Sequence, residues 1–265
     1  GTTAMEAMIS SLISGKDNRV INAGAYGQRA LDIMDTYKIE YDEIKSDSID
    51  DVERSDFAGN LYFVETETST GEEYSTQEIL RRYPQARFYI DATAAFGASN
   101  YDATLDNIDA LSFCANKCLQ SSAGLGLVLW RKACVARPRT YSLDLGRYVA
   151  PAIPFTLPTQ SVSALREALS YEKEWQFNEN ETKMVFDRRR NDLLQAMANI
   201  GIKQISKSPA NSVVAFVHPT MDYEELRRFL DDRGIVIYSG IPGTRRSFRI
   251  STMSVLFDKK FKKII

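Results

Sequence analysis

One stretch limits the folds open to this chain more than any other: Asp109-Ala-Leu-Ser-Phe-Cys-Ala-Asn-Lys-Cys-Leu-Gln-Ser-Ser-Ala-Gly-Leu-Gly-Leu-Val-Leu-Trp130, two apolar runs separated by a turn with a single lysine. A buried run that stops at small residues and is followed by a second such run predicts strand, loop, strand. The turn then holds Lys117 at a sheet edge. Lysine has a flexible stem and a pKa that falls on desolvation, which suits it to Schiff-base chemistry with a carbonyl. A loop lysine directed at water is the plain alternative.

Upstream, Phe88-Tyr-Ile-Asp-Ala-Thr-Ala-Ala-Phe-Gly97 predicts another buried strand, ending in Asp91 and followed by small residues. Strand carboxyl ends are where open α/β sheets place ligand-binding groups. An amine and a carboxylate therefore converge on one edge. Pyridoxal phosphate requires that pair, a lysine to hold its aldehyde and an acid to keep its pyridine nitrogen protonated, so that the ring can act as an electron sink.

Three segments carry a resemblance: Asp91-Ala-Thr-Ala-Ala-Phe-Gly97, Ala115-Asn-Lys-Cys-Leu-Gln120 with Gly124-Leu-Gly126, and Glu67-Thr-Ser-Thr-Gly71. Together the chain resembles the class V, fold-type I aminotransferases, in the right order over nearly its whole length. The resemblance implies pyridoxal 5'-phosphate as cofactor, with Lys117 and Asp91 catalytic, and a homodimer with shared active sites; the cysteine pattern below adds the expectation of a cytoplasmic protein. The patterns at Asn116-Lys-Cys-Leu, Pro154-Phe-Thr-Leu-Pro158 and Ser247-Phe-Arg-Ile250 are similar to those of members that deaminate 2-aminoethylphosphonate with pyruvate as acceptor. Members working on alanine with glyoxylate, on serine or on phosphonopyruvate stay open, as does a cysteine desulfurase. The desulfurase is disfavoured because Cys114 lies in a strand and Cys118 directly follows the lysine. An inactive truncated remnant serving as a binding module is a further alternative.

Further roles follow from the resemblance position by position. Gly1 and Thr2, at a helix start, match the cofactor-phosphate site, and such a start collects free N–H groups and positive dipole. Tyr26 and Thr93 match the residues on opposite faces of the cofactor ring. Thr68 matches the hydroxyl that bonds the cofactor's phenolic oxygen, and Asn116 helps hold the phosphate. Thr156 matches the threonine that crosses the dimer interface to the other subunit's phosphate. Arg249, among apolar neighbours in the last strand, matches the substrate-binding arginine, and its planar fork suits an acidic group. Two departures stand out. Glu65 occupies a position where the family often carries histidine, and Gln120-Ser-Ser-Ala-Gly124 replaces the more usual acidic, glycine and proline residues.

Composition limits the rest. With 265 residues, 44% of them hydrophobic, the chain can bury one large core or a large and a small one. Its 33 basic and 35 acidic residues leave a net charge of −2, which disfavours nucleic-acid partners. Arg188-Arg-Arg190 and Lys259-Lys-Phe-Lys-Lys263 are expected to be solvated helix faces. Cys114, Cys118 and Cys134 lack metal-ligand spacing with the single histidine, His218, and are expected to be reduced thiols. No metal and no membrane partner is expected.

Along the chain, Thr2 or Thr3 is the expected N-cap of a first helix, Val20 to Gly27 a strand running into glycine-flanked Tyr26, and Ser75 to Tyr83 a helix. Prolines 151, 154 and 158 mark a loop before long helices at Thr159 to Phe177 and Glu179 to Ile200. Strands near Ile202 to Ile205, Ser212 to Val217, Ile235 to Tyr238 and Phe248 to Ser251, with a helix from Asp222 to Asp232, predict an α+β lobe. The expected fold is an α/β three-layer sandwich with a mostly parallel sheet, divided into a large cofactor-binding domain, 1–170, and a small C-terminal domain, 171–265. Because the chain opens inside a helix start, the resemblance implies that part of the large domain, including some of the substrate entrance, is missing. His218, beside Pro219 after a strand, is expected to be structural.

Overall fold

The computed structural model describes residues 1–101, 107–134, 137–149, 153–174, 179–254 and 256–261. In chain order the elements are α1 (Thr2–Leu12), β1 (Asn18–Asn22), α2 (Ala25–Thr36), β2 (Asp42–Lys45), β3 (Asn60–Val64), β4 (Thr66–Glu67), β5 (Glu72–Glu73), α3 (Thr76–Arg82), β6 (Arg87–Asp91), β7 (Ile108–Cys114) and β8 (Gly126–Trp130). There follow α4 (Thr159–Glu174), α5 (Glu179–Asn199), β9 (Lys203–Gln204), β10 (Val213–Val217), α6 (Tyr223–Asp231), β11 (Tyr238–Ser239), β12 (Ser247–Ser251) and α7 (Phe257–Phe261).

The six-stranded sheet has the order β2-β1-β3-β6-β7-β8. Its first five strands are parallel, and β8 returns antiparallel to β7. Alternation along each strand divides the apolar residues between two faces. Tyr62, Val64, Tyr89 and Ala110 face Met5, Met8 and Ile9 of α1 and Ala30 and Met34 of α2. Leu61, Phe63, Phe88 and Ile90 face Ile79 and Leu80 of α3, with Tyr83 just beyond it. Helices therefore cover both faces, which is the three-layer α/β arrangement expected.

A second, antiparallel sheet, β11-β12-β10-β9, packs Val214, Phe216 and Phe248 against Leu193 of α5 and Leu226 of α6. The β4–β5 hairpin reaches it from the large sheet. Glu73 N donates to Ser208 O at 2.8 Å, Ala210 N donates to Gly71 O at 2.9 Å, and Ser206 Oγ donates to Thr70 O at 3.1 Å.

Several expectations need correction. Gly1, not Thr2 or Thr3, is the N-cap of α1. Tyr26 lies inside the first turn of α2 rather than at the strand end. The strand expected at Ile235 to Tyr238 is only Tyr238–Ser239, and β2 and the β4–β5 hairpin lie where no strand was expected. Arg188-Arg-Arg190 is not simply a solvated face. Arg189 is 1% exposed, donates through Nε and Nη2 to Asp258 Oδ2 at 3.0 and 2.7 Å, and donates through Nη1 to Thr252 O at 2.9 Å. A guanidinium can be buried when carboxylate and carbonyl oxygens satisfy its donors. Lys262 and Lys263 of the basic tail, and Phe177 at the expected end of the first long helix, lie outside the described residues.

Candidate active site

The strand order reverses between β1 and β3, because β2 lies on one side of β1 and the later strands on the other. In open α/β sheets the crevice at the carboxyl ends of such a pair is where ligands bind. The segments leaving β1 and β3 carry Tyr26 and Thr68, and one buried carboxylate joins them. Glu67, 0% exposed, accepts through Oε2 from Tyr26 N at 3.0 Å and Gly27 N at 3.1 Å. Its Oε1 accepts from Ser69 N at 3.1 Å and from the Ser69 hydroxyl. Ser69 Oγ also accepts from Ala25 N at 3.0 Å. The free N–H groups that open α2 are thus capped from β4, where the positive end of the helix dipole favours an anion. Gly24 makes room for this contact, since a Cβ there would lie 2.9 Å from the Glu67 side chain and 2.5 Å from Ser69 Oγ.

Asp91 ends β6 and is 1% exposed. Its Oδ1 accepts from Thr93 N at 2.9 Å and from Ser112 Oγ of the neighbouring strand at 3.5 Å. Burial pushes its carboxyl above the usual carboxylate range, against the opposing influence of Thr93. The Thr93 hydroxyl is buried and makes no geometrically satisfactory hydrogen bond, although it lies close enough to Asp91 to oppose that rise. Thr93 also abuts the start of α1: a Cβ on Gly1 would fall 2.9 Å from Thr93 Cγ2. Next along α1, Thr2 Oγ1 accepts from Arg29 Nη1 at 2.9 Å, and the Arg29 guanidinium lies 4.7 Å from the centre of the Tyr26 ring.

Lys117 lies in the turn after β7, half-buried, with Asn116 exposed beside it. The turn packs onto the segment after Asp91 through Cys118, whose Sγ donates to Ala94 O at 3.2 Å. Burial pushes the Cys118 thiol up to about 12, which makes it a poor nucleophile. All three cysteines are free. Arg249 reaches from β12 back to the crevice, its Nη1 donating to Thr68 O and its Nε to Ser239 O. Its described partners are carbonyls, and the residue is half-buried. Thr156 is exposed and stands outside this set of contacts. His218 Nδ1 accepts from Met221 N at 2.8 Å and Thr220 N at 3.3 Å, a turn-forming role. No group of histidine, cysteine, aspartate or glutamate able to hold a metal occurs among the described residues.

A contact path therefore runs Asp91, Thr93, Gly1, Thr2, Arg29, Tyr26, Glu67, Thr68, Arg249. Arg29 and Glu67 are members of it that had no expected role. Glu67 was visible only as part of the Glu-Thr-Ser-Thr-Gly pattern, and Arg29 carried no signal of its own. Glu65, the departure from histidine, lies on the opposite face of the sheet. It receives a hydrogen bond from Tyr101 Oη, and burial pushes its carboxyl up to about 7.

These groups fit pyridoxal phosphate. An amine and a buried carboxylate sit at neighbouring strand ends, a buried hydroxyl lacks a partner beside that carboxylate, and a helix start free of side-chain caps lies against it. Lys117 and Asp91 would hold the aldehyde and the ring nitrogen. Thr2 and the Gly1 end of α1 would face the phosphate.

Comparison with known proteins agrees. The chain is 28% identical over 298 residues to a 2-aminoethylphosphonate–pyruvate transaminase of Bacteroides fragilis, covering 100% of this chain and 80% of that one. It is 29% identical over 295 residues to another of that name from Klebsiella pneumoniae, covering 97% and 77%. Among solved structures, the aspartate aminotransferase of subgroup IV from Thermus thermophilus matches with a TM-score of 0.87 at 22% identity, over 99% of this chain and 80% of that one. The ureidoglycine–glyoxylate aminotransferase of Bacillus subtilis matches with a TM-score of 0.82 at 23% identity, over 98% and 74%. The model of the aminotransferase class-V family matches residues 28–254, most of the chain, and this protein belongs to that family.

Proposed function

We propose that this pyridoxal-phosphate-dependent aminotransferase moves the amino group of 2-aminoethylphosphonate to pyruvate, giving phosphonoacetaldehyde and alanine. The observation that carries the choice of substrate is Arg249, a guanidinium at the mouth of the crevice whose described partners are two carbonyl oxygens. Its remaining donors suit an acidic group, and one fork can pair two oxygens of a phosphonate in one half-reaction and of a carboxylate in the other. The relatives named as 2-aminoethylphosphonate–pyruvate transaminases support the same assignment.

Bound pyridoxal phosphate supplies the electron sink and carries the amino group between the two substrates. Lys117 holds it and then acts as the base: its Nζ takes the proton from the amine-bearing carbon of the donor and returns one to the corresponding carbon of the acceptor. Asp91 keeps the ring nitrogen protonated. Burial alone opposes its ionisation, and a cation at its carboxylate reverses that preference, so acid and ring stabilise each other's charge. Tyr26 and Thr93 would line the ring, Thr68 would bond its phenolic oxygen, and Gly1, Thr2 and Asn116 would take the phosphate.

Thr156 completes the phosphate site of the partner subunit in a cytoplasmic homodimer. Its exposure beside the exposed apolar residues Tyr141, Tyr148, Val149, Ile153 and Leu157 supports a covered surface there. Three unpaired cysteines fit a reducing compartment, and no described helix is long and apolar enough to cross a membrane. Residues 1–170 form the large domain and 171–265 the small one.

The assay offers 2-aminoethylphosphonate, alanine and serine as donors, and pyruvate, glyoxylate and phosphonopyruvate as acceptors, following the cofactor spectrum in each half-reaction. Fastest turnover with 2-aminoethylphosphonate and pyruvate is expected, and Arg249→Ala slows both half-reactions. Preference for alanine with glyoxylate or with phosphonopyruvate defeats the substrate assignment. Light scattering that shows a cofactor-saturated monomer defeats the dimer.

A further inference from the structure

We propose that Arg29 is a positioning residue for the phosphate end of the cofactor site, fixing both the direction of the Thr2 hydroxyl and the plane of Tyr26. The inference rests on the reading above that Gly1 and Thr2 receive the phosphate. Arg29 stands on the first turns of α2 and reaches across to the first turn of α1, where its Nη1 donates to Thr2 Oγ1 at 2.9 Å. A hydroxyl has one proton to give and two lone pairs to receive. Because the guanidinium can only donate, it occupies a lone pair of Thr2 and leaves the hydroxyl proton to be given away. Phosphate oxygens accept, so Arg29 sets the polarity that a phosphate needs.

The same guanidinium lies over the Tyr26 ring, 4.7 Å from its centre, in cation–π range. One side chain therefore ties the ring-facing wall of the site to its phosphate end. No carboxylate is within ion-pair distance of Arg29 among the described residues, so its charge is not neutralised by an acid of its own. Nearby on β3, the Tyr62 hydroxyl is buried without a hydrogen-bond partner in a residue 1% exposed. That hydroxyl feels the negative charges of Asp91 and Glu67 and the opposing positive charge of Arg29. Arg29 thus brings a positive charge to the first turn of α1, where its guanidinium contacts Thr2 and the Tyr26 ring.

The test is phosphate discrimination by the full chain freed of cofactor, titrated by absorbance with pyridoxal 5'-phosphate and with pyridoxal, which lacks the phosphate. The quantity read is the ratio of the two dissociation constants, for wild type, Thr2→Ala, Arg29→Met and Arg29→Lys. Arg29→Met is expected to shrink the ratio about tenfold, the scale of one charge-assisted hydrogen bond. Arg29→Lys, which keeps the charge without the fork, is expected to shrink it less. A packing role alone would weaken both ligands alike and leave the ratio unchanged, and that result overturns the proposal. If Arg29→Met does not fold, as judged by circular dichroism, Arg29→Lys decides by the same ratio. A ratio unmoved by Thr2→Ala shows that the Thr2 hydroxyl does not bind the phosphate and removes the basis of the inference. A ratio reduced by Thr2→Ala but by neither Arg29 variant overturns the role of Arg29 and leaves the phosphate placement standing.

Discussion

Replacing Glu67 tests whether a single buried carboxylate holds the first turn of α2 in place. Its described partners, three backbone N–H groups and one hydroxyl, are all uncharged. The carboxylate is therefore stabilised by hydrogen bonds and the helix dipole, against the several kcal/mol that burying an ion costs. Glu67→Ala removes the acceptor but leaves the three N–H donors, each costing about 1–3 kcal/mol when buried and unpaired. Water entering the vacated space satisfies some of them, so the net loss is expected to be about 3–5 kcal/mol, similar to breaking a buried ion pair. Glu67→Gln keeps one acceptor oxygen but turns an NH₂ toward donors, and should cost about 1–3 kcal/mol. At roughly 2–4 °C per kcal/mol for a chain of this size, Glu67→Ala should lower the melting temperature by about 10 °C and Glu67→Gln by about half that. Hydrogen exchange supplies the local readout: the amides of Tyr26 and Gly27 should be protected in the wild type, exchange quickly in Glu67→Ala and keep part of their protection in Glu67→Gln. An alanine variant that melts within about 2 °C of wild type, a shift worth about 1 kcal/mol or less, with those two amides still protected, would refute the capping role.

Lys117→Ala should keep its fold, since this half-buried lysine makes no described ion pair, while losing transamination; borohydride reduction followed by mass spectrometry should add cofactor mass at Lys117 in the wild type and nowhere in the variant. Glu65 has a folded-state carboxyl raised from 4.5 to about 7 by burial, so its protonated form stabilises the fold fully below about pH 4.5 and that contribution, about 3 kcal/mol in all, is lost as pH rises through 7. Glu65→Gln should remove this dependence, so that its stability relative to wild type in urea grows from pH 5 to 8; a constant difference would count against a raised carboxyl. Arg189→Met removes both donors to Asp258 Oδ2 and the donor to the Thr252 carbonyl, leaving Asp258 only the exposed Arg188 at 3.3 Å, and should cost about 3 kcal/mol, read as an earlier urea midpoint, whereas Arg188→Met, whose side chain is largely exposed, should change little.

Much of the fold could be read from local pattern. The paired apolar runs on either side of Lys117 became β7 and β8, and the run ending in Asp91 became β6 beside β7, because a strand in the middle of a sheet is apolar over most of its length; β7 is buried throughout, whereas β8, at the sheet edge and expected to be buried as well, is exposed or half-buried along its length. β2 carried no such run: Asp42-Glu-Ile-Lys45 is an edge strand with only one partner, mostly exposed, and solvent imposes no apolar pattern on it. Asp91 and Lys117 stood out because each ends an apolar run. Glu67 and Arg29 act through partners tens of residues away, such as Gly27 N for Glu67 at a separation of 40 and Thr2 for Arg29 at 27, and no local spacing encodes such contacts. Arg189 was obscured by its two arginine neighbours, since only the tertiary position of Asp258 decides which of the three turns inward.

The hairpin of β4 and β5 stitches the two sheets together at the point where Thr68 and Glu67 sit. Backbone bonds from Glu73 and Ala210, the Ser206 hydroxyl and the Arg249 guanidinium all cross that seam, and Glu72 accepts from Lys207 N at 2.6 Å and Ser208 N at 2.9 Å. A rotation of the second sheet cannot leave this hairpin behind. It must also pull on the segment that caps α2 and carries the crevice threonine. The first turn of α2, held by Glu67, is thereby tied through one hairpin to the segment before β10 and to β12, so the two sheets cannot shift against one another without disturbing the floor of the crevice.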